Sequence, residues 1–169
     1  MQREQVCIPK MLLYLLLLTA LYALQSSLFG TWSIRGFHID LLPCFVAAAG
    51  LLDGPAEGAI MGIAVGVFYD LGFVGLDGVY PVFFLLFGLL AGALSRLTLS
   101  RNYVSMMMLT ASEMLALGLL RYFLFLLPQK GASFGLVLQQ LVGGTLLALA
   151  LCFVVYGPMR RISRRFETR

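Results

Sequence analysis

The sequence predicts an all-α integral membrane protein, a bundle of six transmembrane helices joined by short loops. Composition is the first observation behind this prediction, because 60% of the 169 residues are hydrophobic and only 12% are charged. A soluble domain has about 45–50% apolar and about 25% charged residues. A water-soluble fold of this composition would leave much apolar surface wet. The composition therefore excludes a disordered chain, a nucleic-acid-binding domain and a conventional cytosolic enzyme.

Long apolar runs are the second observation, since a helix needs about 20 mostly apolar residues to cross a bilayer core of about 30 Å. We expect spans over residues 11–29, 39–52, 58–73, 79–95, 103–127 and 134–156. The second run is short and contains Pro43, so it could be re-entrant instead of crossing fully. The pair Gly157-Pro158 is expected to end the sixth helix, because proline cannot continue it. A basic tail would then occupy residues 159–169.

The distribution of basic residues is the third observation, because they favour the cytoplasmic side of a membrane. With the N-terminus inside and six spans, the inner segments hold Arg3, Lys10, Arg96, Arg101, Arg160, Arg161, Arg164, Arg165 and Arg169. The outer loops hold Arg35 and Lys130, and Arg121 lies within the fifth span. This bias predicts six spans with both termini in the cytoplasm. The alternative is that the first run is a cleaved leader, but Ala23-Leu24-Gln25 is a poor cleavage site.

Small residues recur at every fourth position in the third and fourth spans. The rows consist of Gly58, Gly62, Gly66 and Asp70 in the third span, and of Gly88 and Gly92 in the fourth. Residues at this spacing lie along one side of a helix, and glycines there allow a neighbouring backbone to come close. The short connection 75–78 predicts an antiparallel hairpin packed through glycine. The rows serve packing inside the molecule or, in a sharper hypothesis, part of them receives a helix from another protein.

Three ionisable residues are predicted to lie within the membrane. Asp70 and Arg121 lie at similar depths in the third and fifth spans, so we expect either that they pair or that Arg121 extends outward along its own stem. Glu113 lies near the mid-plane of the fifth span. It must stay protonated, find a partner on another span or line a wet cavity, and Thr110 and Ser112 could supply hydrogen bonds.

The sequence holds no recognisable catalytic or metal-binding motif. A single histidine, His38, and three scattered cysteines without a CxxC spacing cannot build a metal site. Gly66-x3-Asp70 matches part of the metal-binding box of membrane phosphotransferases that use CDP-alcohols, but Val74 stands where the next carboxylate is needed. We therefore expect no enzymatic activity, no cofactor and no metal.

The basic tail has an interpretation that needs no protein partner. It carries five arginines, at positions 160, 161, 164, 165 and 169. Beside a membrane, each such residue is attracted by anionic lipid with about 1 kcal/mol. We therefore expect membrane lipids among the partners, and the same charges help to set the topology.

Together with the size and the six-span plan, the stretch from residue 58 to 92 resembles the MreD family of bacterial rod-shape-determining proteins. The resemblance is carried by Gly62-x3-Gly66-x3-Asp70, then Gly78, then Gly88 and Gly92 before Arg96, and also by Leu42-Pro43 and the basic tail. It implies a non-enzymatic scaffold of the cell-elongation machinery in the cytoplasmic membrane. The implied partners are the bitopic protein MreC, the enzymes of side-wall peptidoglycan synthesis and, indirectly, the actin-like MreB. The acidic pair Asp53 and Glu57 departs from the family pattern and has no assigned role.

A second class of protein shares the size, the six spans and the abundant glycine. Substrate-binding subunits of energy-coupling-factor vitamin transporters have these features, and they need a polar pocket near the outer face. The expected outer loops, 30–38, 75–78 and 128–133, are short. Trp32, Arg35 and His38 form the one cluster there that could contact a ligand, and otherwise they belong to an interfacial belt.

Overall fold

A computed structural model describes the chain over residues 8–29, 40–72, 78–97, 100–126 and 134–167. Within these ranges the prediction of an all-helical fold is confirmed. The helices are α1 (Ile8–Phe29), α2 (Leu42–Asp53), α3 (Pro55–Gly72), α4 (Val79–Leu97), α5 (Tyr103–Arg121) and α6 (Phe134–Glu167). A π-helical turn, Tyr122–Leu126, continues α5 and completes the predicted fifth segment.

Four of these helices contain segments that are long and apolar enough to cross a membrane. The segments are Pro9–Ser27, Val79–Leu97, Tyr103–Leu124 and Val142–Phe166. Large apolar side chains cover their outer surfaces; Leu16 and Phe153, for example, are each 67% exposed. Such faces are costly in water and favourable in lipid, so these helices indicate a membrane protein.

Helix α2 forms the centre of the bundle. Every residue from Leu41 to Leu52 is buried, and α2 contacts each of the other five α-helices. Its 12 residues span only about 18 Å, less than the bilayer core of about 30 Å. A helix that is apolar on all sides is a core helix, and the small side chains of 47–50 let its neighbours approach.

A tight corner joins α2 to α3. Gly54 has a φ of 103° and donates its N–H to the carbonyl of Gly50, which ends α2. Glycine adopts this left-handed conformation without the steric cost that a Cβ would impose. Pro55 then begins α3, where its missing N–H would have no helical partner in any case. Asp53 and Glu57 are thereby placed on either side of the corner.

Helices α3 and α4 form the antiparallel hairpin and make the largest helix–helix contact. A Cβ on Gly62 would collide with the backbone of Phe84, and one on Gly88 would collide with the backbone of Gly58. Glycine in these rows therefore lets the two backbones come closer than any other residue would allow.

The expected end of the sixth helix at Gly157-Pro158 is wrong, because α6 continues to Glu167. Proline costs a helix interior about 3 kcal/mol through its missing N–H and its ring. Tyr156 and Met159 are fully buried on either side of it, and burying large side chains contributes about 1.5–3 kcal/mol each. Packing on both sides therefore outweighs the proline, and the basic segment that follows is helical.

Candidate functional site

Five side chains from four helices meet at one end of the bundle, and we name them the Lys10–Asp53 cluster: Lys10, Tyr14, Asp53, Glu57 and Ser163. Lys10 Nζ lies 2.7 Å from Asp53 Oδ1 and 2.8 Å from Glu57 Oε2. Tyr14 donates its hydroxyl hydrogen to Asp53 Oδ2 at 2.5 Å, and Ser163 donates to Asp53 Oδ1 at 2.6 Å. We call this the Lys10 end of the bundle.

The cluster gives the unassigned acidic pair a role. The Asp53 side chain is only 1% exposed, and a buried carboxylate is tolerated when it is paired and hydrogen-bonded. Lys10, Tyr14 and Ser163 satisfy it from α1 and α6, while Glu57 holds the same ammonium from α3. Sequence reasoning missed this arrangement, although Lys10 was expected at the same membrane surface as the acidic pair.

A second polar group, which we name the Asp40–Arg121 cluster, lies at the opposite end: Gln25, Asp40, Tyr69 and Arg121. Tyr69 donates to Asp40 Oδ2 at 2.6 Å and accepts from Arg121 Nη2 at 2.5 Å. Arg121 Nη2 lies 3.5 Å from the same carboxylate oxygen. Gln25 donates to Asp40 Oδ1 at 3.3 Å and accepts the N–H of Leu41 at 3.1 Å. The cluster ties α1, α3 and α5 to the start of α2.

The expected pairing of Asp70 with Arg121 is wrong. Asp70 Oδ2 instead accepts the backbone N–H of Gly78 at 2.7 Å and so joins the last turn of α3 to the residue before α4. Successive residues of a helix point about 100° apart. Tyr69, which is buried, faces the bundle, whereas the Asp70 carboxylate is directed to Gly78. The alternative, in which Arg121 extends outward alone, does not hold either, because its guanidinium contacts Tyr69 and Asp40.

The five glycines of the predicted rows contact the chain's own helices. A Cβ on Gly58, Gly62, Gly66, Gly88 or Gly92 would meet backbone atoms of the α2–α4 region at distances that real Cβ atoms do not show. Gly50 of α2 joins the same contact beside Ala91 and Gly88, which sequence reasoning missed. These glycines therefore serve packing inside the molecule, which is the first of the two alternatives given above, and Asp70 lies outside this contact.

Glu113 lies fully buried in α5 among the helices around α2. Both of its carboxylate oxygens lack a hydrogen-bond partner within the described part of the chain. The expected donors are directed elsewhere, since Ser112 donates to the carbonyl of Leu109 and Thr110 lies 4.0 Å from Cys152 Sγ. A dry, unpaired carboxylate is strongly disfavoured in its charged form, so the site suits the neutral acid.

Among the described residues, no group of three or more His, Cys, Asp or Glu side chains is placed to hold a metal ion. Trp32, Arg35 and His38, considered above as ligand contacts, lie outside the described residues, as does the loop 128–133. Comparisons of the chain with protein-family models, curated proteins and solved structures find no match.

Proposed function

We propose that this protein is a non-enzymatic scaffold of the bacterial cell-elongation machinery that docks partner membrane proteins such as MreC in the cytoplasmic membrane. The resemblance of residues 58–92 to the MreD family supports the proposal. The structural observation that carries it is that polar side chains of different helices contact one another. The Lys10–Asp53 and Asp40–Arg121 clusters join helices to one another at both ends of the bundle, as a rigid framework requires.

The proposed topology has six crossings with both termini in the cytoplasm. The Lys10 end supports this orientation, because Arg101, Arg160 and Arg164 line one cavity there together with Ser163 of the Lys10–Asp53 cluster. Arginine favours the cytoplasmic side of a membrane. In this arrangement α2 covers only part of the bilayer core and lies inside the bundle, surrounded by the other helices instead of lipid.

A docking surface has to be sought away from the glycine rows, because those rows are occupied internally. Helix α3 turns Ile63 and Val67 outward, with 41% and 48% exposure, and α4 turns Leu86 and Leu90 outward, with 54% and 58%. Each pair is four residues apart and therefore lies on one face of its helix. A partner's transmembrane segment can contact these faces without disturbing the hairpin.

Photo-crosslinking in living cells tests the proposal. A photoreactive residue at Val67 or Leu86 is expected to capture MreC or a side-wall peptidoglycan synthase. The control places the photoreactive residue at Val65, which is fully buried on the same helix as Val67. This variant should capture neither partner. Depletion of the protein should convert rods to spheres. Recovery of lipid and self adducts alone from a scan of all the outward positions would contradict docking.

Vitamin binding by a transporter subunit is the second candidate, and the Asp40–Arg121 cluster is the observation that favours it. The cluster places a carboxylate, a guanidinium and a tyrosine hydroxyl at the end that is outermost in the proposed topology. Equilibrium binding of radiolabelled vitamins to the purified full chain separates the two functions. Micromolar or tighter binding of any one vitamin, with normal cell shape after depletion, would favour the transporter subunit.

A further inference from the structure

A cavity of about 210 Å³ opens at the Lys10 end of the bundle, lined by Leu52, Arg101, Arg160, Ser163 and Arg164. Among the described lining residues, three are arginines, which come from the segment before α5 and from the last turns of α6. Pockets for whole drug-sized ligands measure about 300–1,000 Å³. This cavity is therefore suited to a single charged group rather than to a whole nucleotide or cofactor.

Tyr156 contacts two of the arginine residues that line the cavity. Tyr156 donates its hydroxyl hydrogen to the backbone carbonyl of Arg101 at 3.0 Å, which fixes the segment before α5 against α6. The guanidinium carbon of Arg160 lies 5.8 Å from the centre of the same tyrosine ring. A site whose groups are already positioned loses less entropy when a ligand enters.

The lining of the cavity is basic, because three of the described residues that form it are arginines. Arg160 and Arg164 are four residues apart on α6, and like charges at this spacing repel each other. Asp53 lies at the same end of the bundle but does not line the cavity; its side chain is 1% exposed and binds Lys10. Ser163 also lines the cavity, and its hydroxyl group donates its hydrogen to Asp53. An anion that enters the cavity would therefore meet guanidinium groups from two segments of the chain.

We propose that this cavity binds the phosphate group of an anionic phospholipid. The planar guanidinium fork matches phosphate oxygens in pairs, and basic pockets between transmembrane helices at the cytoplasmic surface hold such head groups. Leu52 supplies an apolar wall, which suits the start of a glycerol backbone better than it suits a free ion. The proposal concerns lipid binding, so it goes beyond the proposed scaffold function and does not depend on it.

The test uses the purified full chain in a neutral detergent, with dissociation constants measured by native mass spectrometry. Phosphatidylglycerol is the probe, and phosphatidylcholine, inorganic phosphate and glycerol 3-phosphate are compared with it. We expect phosphatidylglycerol to bind at least tenfold more tightly than each of the other three. Arg164→Gln should weaken its binding about tenfold, which corresponds to about 1.4 kcal/mol.

Arg161→Gln is the matched control, because it removes the same charge from an exposed position of the same helix that does not line the cavity. It should change the affinity less than twofold. An equal loss with both variants would overturn the proposal in favour of diffuse attraction to the basic tail, and no loss with either would also overturn it. Equally tight binding of glycerol 3-phosphate would reassign the site to a soluble phosphate ester.

The stability of each variant without lipid is measured in parallel through its thermal unfolding midpoint. If Arg164→Gln unfolds early, Arg101→Gln repeats the test from a separate, exposed position of the cavity wall. Arg164→Lys keeps the charge but loses the planar fork, so it should bind with an affinity between those of the wild type and Arg164→Gln. If the single variants Arg164→Lys and Arg101→Lys both keep the full affinity for phosphatidylglycerol, the guanidinium geometry is irrelevant. That result would overturn the proposal.

Discussion

The ammonium group of Lys10 lies 2.7 Å from the carboxylate of Asp53, although 43 positions separate the two residues in the chain. The contact closes α1 onto the corner between α2 and α3. Because the same carboxylate also accepts hydrogen bonds from Tyr14 and Ser163, one buried group links α1, α2 and α6. The contributions of these residues to stability should therefore be strongly non-additive.

Removing the Lys10 ammonium group should show how strongly the stability of the protein depends on its contact with Asp53. Lys10→Met leaves Asp53 buried without its partner, and breaking a buried pair on one side costs about 3–5 kcal/mol. We expect a lower free energy of unfolding, measured by denaturant titration in detergent micelles. The double variant Lys10→Met with Asp53→Asn should recover part of the loss, because only the Glu57 carboxylate then remains without its cation. A loss no larger than that of Arg161→Gln would show that the pair is energetically silent.

The partner of Arg121 can be identified by two double-mutant cycles. Asp40→Asn and Arg121→Gln should show a coupling energy of about 1–3 kcal/mol, since their groups belong to one network. Asp70→Asn and Arg121→Gln should add independently, to within about 0.5 kcal/mol. Both cycles are measured by thermal unfolding of the purified protein. Larger coupling to Asp70 than to Asp40 would contradict the observed geometry.

The close approach of α3 and α4 predicts that a single methyl group at the contact is harmful. The Cβ of Gly62→Ala would collide with the backbone of Phe84, and overpacking of this kind costs about 1–3 kcal/mol or more. Gly157→Ala is the control, because a Cβ there meets nothing within 4 Å. Alanine in a helix is favoured over glycine by about 1 kcal/mol, so this variant should unfold at the same or a higher temperature. Equal unfolding temperatures of Gly62→Ala and Gly157→Ala would argue against a close contact at Gly62.

Glu113 should be replaceable without loss of stability. Both of its oxygens lack a partner among the described residues, so Glu113→Met exchanges an unsatisfied acid for an apolar side chain of similar size. We expect the thermal midpoint to stay the same or to rise, because removing an unsatisfied buried group regains about 1–3 kcal/mol. If Glu113→Met instead unfolds several degrees earlier, the carboxyl group has a partner outside the described residues. Stable folding with loss of rod shape would mark the acid as functional.

The sequence predicted the helices well because their signals are local. Apolar runs and the spacing of small residues report on a single helix and its neighbour along the chain, and α4 begins at the predicted residue. The error at Pro158 has the opposite origin. A proline rule describes an isolated helix, whereas the burial of Tyr156 and Met159 depends on residues distant in sequence.

The candidate sites were much less predictable. Glycine spacing indicated close packing, but it could not tell whether the closely packed backbone belongs to this chain or to a partner. The depths of Asp70 and Arg121 agreed, yet depth does not specify the direction in which a side chain points. Asp40 was not considered as a partner of Arg121, because a lone acid ahead of an apolar run carries no pattern.

By itself, the sequence determined that this protein is helical and suited to a membrane, since hydropathy accumulates along each segment regardless of what surrounds it. Only the tertiary structure decided that the shortest helix is the core, that Asp53 joins α1 to α6 and that three arginines surround one cavity. For each of these features, several helix and side-chain pairings are similarly favourable when judged from the local sequence. Packing of the whole bundle determines which of these pairings form, because a buried charge is stabilised only where another helix places a partner beside it.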